Sequence, residues 1–105
     1  MLSSSSALSI NNVSVVDDTQ IIEITAKGQY LPKRTSAKAD MPTIVRIKTS
    51  GTFDCTSALK IAAANFESML PSTGTTDIEL PPQKAGTTVQ GICGMGMYNF
   101  TIAFN

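Results

Sequence analysis

The sequence predicts an all-β fold, a β-sandwich of seven or eight strands. Three observations predict it. Apolar residues recur at every second position in several runs, the period of a strand rather than a helix. Those runs are rich in β-branched residues, which pack well on a pleated surface. Turns containing Gly, Pro or Asp separate them at spacings of about 8–12 residues. A chain of 105 residues supports one hydrophobic core. We divide it into a Ser-rich linker stub over residues 1–10 and a single domain over 11–105.

The elements follow in order. Asp17-Asp18 ends the first apolar run. In Gln20–Lys27, Ile22, Ile24 and Ala26 share one face, and Glu23, Thr25 and Lys27 the other. Gly28 to Lys33 reads as a loop closed by Pro32, and Asp40-Met41-Pro42 as a tight turn. Val45 and Ile47 then alternate with Ile44, Arg46 and Lys48, before Ser50-Gly51 turns the chain. Residues Ser57–Met69, with Ala62-Ala63-Ala64, admit a short helix or a strand over Ala58–Ile61 followed by a loop. Pro71 to Thr75 is a turn; Ile78 and Leu80 mark the next strand. After Pro81-Pro82 and Gly86, Val89, Gly91 and Cys93 form one side of a weaker strand. Tyr98, Phe100, Ile102 and Phe104 form one side of the last.

Composition removes whole classes of function. Eight basic residues balance eight acidic ones, so there is no basic surplus for nucleic acid or for an anionic membrane surface. No run approaches the ~20 apolar residues of a membrane span. Residues 1–9 lack the basic and apolar regions of a signal peptide. The chain has no histidine and no tryptophan. Without imidazole there is no Ser-His or Cys-His pair and no His metal ligand. No carboxylate pair is spaced for acid–base work, so an enzyme is not expected.

What remains for chemistry is sulfur. The densest cluster is Cys93-Gly94-Met95-Gly96-Met97-Tyr98, between the last two strands. Its glycines permit a tight loop, and Cys93, Met95 and Met97 then present three soft donors, which select Cu(I) over hard cations. The competing reading puts Met95 and Met97 in the core above a buried thiol. Cys55 opens the element after the Ser50-Gly51 turn, and in a sandwich the ends of distant strands meet at one pole. Cys55 and Cys93 meeting there have two fates, a metal site or a disulfide worth roughly 3–4 kcal/mol. Neighbouring methionines favour metal. Tyr98 reads chiefly as a core aromatic, Asp54 as a turn former, and Met41 and Met69 as core or loop residues. Asn12-Val13-Ser14 and Asn99-Phe100-Thr101 match the glycosylation pattern, the second inside a strand.

Several segments together resemble a known family: Gln29-Tyr30-Leu31-Pro32, Ala37-Lys38-Ala39, Gly51-Thr52-Phe53-Asp54-Cys55, Leu70-Pro71, Pro81-Pro82-Gln83-Lys84-Ala85-Gly86 and Cys93-Gly94-Met95-Gly96-Met97-Tyr98. They are similar to the cupredoxin-like domain, in the subgroup appended to heavy-metal membrane proteins such as TauE/SafE-type transporters. The resemblance runs from about Thr19 to Asn105. It implies a Greek-key β-sandwich with a copper site at one pole, with Cys55 in the first His place, Cys93 as the loop Cys, Met97 as the terminal Met, and Met95 near the missing second His. Such a set implies Cu(I) in place of the redox-cycling copper of an electron-transfer cupredoxin. It also implies a role in copper transfer, storage or sensing, a membrane transporter or metallochaperone as partner, and an extracytoplasmic location, in a soluble domain excised from a membrane protein. Two positions depart from the pattern: Asp40 stands where relatives often have Gly, and Ala62 where they often have Pro. A disulfide-bridged structural sandwich is the main alternative.

Overall fold

A computed structural model describes residues 12–52 and 55–105, except the side chain of Cys55. The linker stub over residues 1–10 and the turn former Asp54 lie outside the described residues. Ten strands form: β1 (Val13–Val16), β2 (Thr19–Ala26), β3 (Tyr30–Leu31), β4 (Arg34–Ala37), β5 (Thr43–Thr49), β6 (Ala58–Ile61), β7 (Phe66–Met69), β8 (Gly74–Leu80), β9 (Thr88–Cys93) and β10 (Asn99–Phe104). They make two mixed sheets. The first runs β1-β2-β5-β8, with β3 also on β2; the second runs β4-β10-β9-β6-β7.

Alternation explains the long strands. In β2 the inward side chains are Gln20, Ile22, Ile24 and Ala26, all buried. Parallel pairing sets Ile22 against Val45 and Ile24 against Ile47, and antiparallel pairing sets Val45 against Ile78. One face of the first sheet is thus continuous hydrocarbon. Its other face carries the ion pairs Arg46–Asp77 at 2.8 Å and Lys48–Glu23 at 3.0 Å. The second sheet answers with Leu59, Ile61, Val89, Phe100, Ile102 and Phe104, each at most 2% exposed. Full burial of each such side chain is worth about 1.5–3 kcal/mol gross. Gln20 ties the sheets at the pole away from the sulfur loop: its amide donates to Lys38 O and Thr43 Oγ1 and accepts from Lys38 N.

Among the described residues the ten strands exceed the expected seven or eight by two or three. β3 lies in the segment read as a loop, and is only two residues long. β4 is Arg-Thr-Ser-Ala, too polar for a hydrophobic period, although Thr35 and Ala37 face inward. The ambiguous stretch over residues 57–69 is not a helix. It is β6, one 3-10 turn over Ala62–Ala64 and β7, with Asn65 left-handed at φ 53° to reverse the chain. Asp17 and Asp18 both have positive φ, 51° and 64°, the geometry a two-residue hairpin needs between β1 and β2. Asp40 also has positive φ, 62°, which explains why glycine suits that position. Ala62 opens the 3-10 turn, a place where proline is well tolerated. Both asparagines of the glycosylation matches are half-buried. The Asn12 amide donates to Glu23 O and Thr35 Oγ1, and Asn99 is half-buried in β10.

Candidate metal centre

The sulfur loop is built by β9 and β10. These strands pair antiparallel through Ile102↔Val89, Phe100↔Gly91 and Asn99↔Ile92. The pairing continues one step into the loop, where Cys93 N donates to Tyr98 O at 3.0 Å. Tyr98 N donates to Cys93 Sγ at 3.3 Å. Gly96 N donates to Cys93 O at 2.8 Å, closing a tight turn over residues 93–96, and Gly96 sits at φ 74°, where glycine is favoured. The loop therefore has a hydrogen-bonded neck and a protruding tip.

The strand period places the donors on opposite sides of that neck. Cys93 continues the inward row of Val89 and Gly91 and is 2% exposed. Met95 and Met97, beyond the neck, are 76% and 64% exposed. The reading in which both methionines fill the core is overturned; only the buried thiol of that reading survives. The Tyr98 N–H points at the sulfur. Tyr98 itself is half-buried against the core, so it is both a core aromatic and, through its backbone, a neighbour of the thiol.

The second cysteine reaches the same pole through the backbone. Cys55–Ser57 form a 3-10 turn that runs directly into β6. There Leu59 lies opposite Cys93, and Gly94 N donates to Ala58 O at 2.7 Å. The approach is close enough that a Cβ on Gly94 would stand 3.1 Å from Ala58 Cβ. The turn is held by two further bonds: Tyr30 OH donates to Thr56 O at 3.0 Å, and Leu70 N donates to Ser57 O at 2.6 Å. The side chain of Cys55 lies outside the described residues, so the shared pole rests on the backbone alone.

One residue of this pole escaped the sequence reading. Met69, read as core or loop, is 69% exposed and ends β7 opposite Ala58. Its signal was the Leu70-Pro71 turn just after it, which fixes the end of a strand; the outward register needed β6. Met41 is half-buried at the opposite pole. Among the described residues no three His, Cys, Asp or Glu side chains converge. The sulfur atoms of Cys93, Met69, Met95 and Met97 at this end of the second sheet are soft donors by type.

Comparison with known proteins fits this geometry. The family model described as the cupredoxin-like domain matches residues 1–102. No curated protein matches the sequence. Among solved structures, the metal binding domain of the Cu(I)-exporting P-type ATPase CopA of Streptococcus pneumoniae D39, solved with Cu(I), superposes with a TM-score of 0.75 at 18% identity, covering 89% of this chain and 92% of that one. A copper binding protein solved in its apo form by NMR gives 0.78 at 18% identity, covering 89% and 94%. Auracyanin B gives 0.62 at 12% identity, covering 90% and 95%. At these identities the likeness is one of fold.

Proposed function

The chain belongs to the cupredoxin-like domain family, and from that premise we propose that it binds Cu(I) as cargo at a sulfur-only site. The observation that carries the reading is the two-sided loop. Its thiol is sealed in the core and its two thioethers stand in water. Cys93 and Cys55 serve as thiolate anchors, Met97 and Met95 as neutral outer donors. The fit rests on donor chemistry: with no histidine in the chain, the imidazole pair that tunes a redox-cycling blue-copper site has no source. The copper stays Cu(I) throughout, and no catalytic role is assigned.

Transfer proceeds by ligand exchange. A partner's sulfur displaces an exposed thioether, a new S–Cu bond forms as the old one breaks, and the thiolates release last. The role that fits is copper transfer, sensing or storage beside a membrane transporter or metallochaperone, outside the cytoplasm. Copper-binding structural neighbours, one from a Cu(I)-exporting ATPase, support that role.

The test is anaerobic titration of the reduced protein against a Cu(I) chelator. Wild type should compete for about one equivalent tightly, and Cys93→Ser should lose that competition. Equal behaviour of the two proteins refutes the site. Thiol counting under denaturing, non-reducing conditions addresses the structural alternative: two free thiols exclude a Cys55–Cys93 bridge, and none establishes it.

A further inference from the structure

The sheet places a third exposed thioether beside the loop. β6 lies between β7 and β9. Met69 pairs with Ala58 across β6–β7, and Ala58 O accepts from Gly94 N on the other side. Met69, Ala58 and Gly94 therefore form one row across three strands. The row ends in the residue just before Met95. Adjacent strands are about 4.8 Å apart, so Met69 and Gly94 stand about 10 Å apart at their Cα atoms. Between them are only the methyl of Ala58 and the bare backbone of Gly94. The result is a groove of about 210 Å³ on the outer face of the sheet, lined by Ala58, Lys60, Ser68, Met69 and Gly94 among others. Two methionines reaching along such a shelf, one from each end, can meet over it.

The exposure is the second observation. Among the described residues the large apolar side chains left in water are Val15, Val16, Leu31, Met69, Met95 and Met97. Three of those six are thioethers: Met69 at the end of β7, and Met95 and Met97 in the β9–β10 loop that begins at Gly94, the far end of the same row; Met41 is half-buried elsewhere. Scattered apolar side chains are normal on a surface; the gathering of one soft donor type is what distinguishes this end of the sheet.

We propose that Met69 is a thioether ligand of a transfer intermediate. It binds Cu(I) together with the loop methionines when the ion is outside the thiolate pair, extending the path by one donor across the Ala58–Gly94 shelf. The inference rests on the Cu(I) reading above. The step is a ligand substitution: the Met69 Sδ–Cu bond forms as a bond to the incoming carrier breaks, with charge and oxidation state unchanged. Lys60 and Glu67 border the groove as opposite charges, so the groove imposes no net charge on a +1 ion.

The experiment uses the whole reduced chain with 13C-methyl-labelled methionine, titrated anaerobically with Cu(I) beyond one equivalent. The Met69 methyl should shift together with those of Met95 and Met97, while Met41 stays still. Met69→Leu, close in volume and lacking sulfur, should keep the first-equivalent affinity within about twofold and slow metal transfer to a chelator several-fold. A still Met69 methyl at saturation, with Met95 and Met97 shifted, overturns the inference and leaves the Cu(I) site standing. An unchanged transfer rate in Met69→Leu overturns it as well. No shift in any methionine and no competition for Cu(I) removes the proposed function itself, and this inference with it.

Discussion

Gly91→Ala should destabilise the domain far more than its size suggests. Gly91 in β9 lies directly opposite Phe100 in β10. A Cβ at position 91 would stand 2.3 Å from two carbons of the Phe100 ring and 3.0 Å from a third. Carbon atoms settle at about 3.5–4.0 Å, so the ring must withdraw by more than an ångström. It has nowhere to go: Phe100 is fully buried, and Tyr30 meets it edge-on with centroids 5.2 Å apart. Overpacking of this kind costs about 1–3 kcal/mol. Loss of glycine's freedom in the unfolded chain returns about 0.5 kcal/mol. A net loss of about 1.5 kcal/mol lowers Tm by about 6–12 °C in a domain of this size. Thermal unfolding of the reduced, metal-free protein by circular dichroism measures it. A drop under about 2 °C would refute the reasoning. A double variant locates the obstacle. In Gly91→Ala/Phe100→Leu the smaller side chain yields, so the two costs should fall short of additive by more than about 0.5 kcal/mol. Strict additivity would mean that the ring is not what the methyl meets.

Other outcomes follow from the same geometry. Met95→Leu/Met97→Leu should leave Tm within about 2 °C, because both side chains are exposed, yet weaken Cu(I) retention against a chelator; a matched loss of stability would mean they are structural. Gln20→Ala should cost about 2–4 kcal/mol in urea unfolding, since it deletes three bonds of a fully buried amide and strips partners from the chain leaving β4. Tyr30→Phe should cost about 1 kcal/mol by losing the bond to Thr56 O, and should raise hydrogen exchange in the 3-10 turn over Cys55–Ser57 before it raises it in β5. The hydrogen bond and charge of Arg46 hold the Asp77 carboxyl below its ordinary value of 3.8. The stabilisation is therefore complete above that value and fades as pH falls through the lower folded-state value. The small advantage of wild type over Asp77→Asn should shrink in acid, and an advantage that grows in acid would contradict the sign.

The long inward rows were legible because their period is unbroken. Ile22, Ile24 and Ala26, then Val45 and Ile47, then Phe100, Ile102 and Phe104 all face the core as their alternation requires. β4 and β7 were not legible, for a physical reason. Arg34–Ala37 and Phe66–Met69 are four residues each and sit on the two edges of the second sheet. An edge strand has one neighbour, needs less hydrophobic commitment, and leaves a weak pattern. The three alanines at 62–64 argued for helix by propensity, but Ala62 and Ala63 are exposed and only Ala64 packs against the core, and three residues close only a single 3-10 turn. At the metal centre the order of residues told which donors exist and not how deep they lie. The depth of Cys93 follows from β9 continuing inward from Val89 through Gly91, whereas the exposure of Met95 and Met97 follows from the neck bonds between Cys93 and Tyr98. Those bonds appear only once β9 and β10 are paired.

On the Cu(I) reading proposed above, that difference in depth gives transfer a direction. A thiolate under the core edge is shielded from water and from competing carriers, so its bond to a soft ion is hard to displace. A thioether at 64% or 76% exposure is neutral, weakly held and open to attack by another sulfur. On the reading proposed above, with Met95 and Met97 two and four residues beyond Cys93 in one loop, the thiolate retains and the thioethers exchange. A histidine at either position would add a ligand that also suits Cu(II) and would invite redox cycling at the exposed end. The chain contains none, and the neck that separates Cys93 from Met95 and Met97 needs none: two backbone N–H groups and two small residues are enough to keep the anchor inside and the exchangeable donors out.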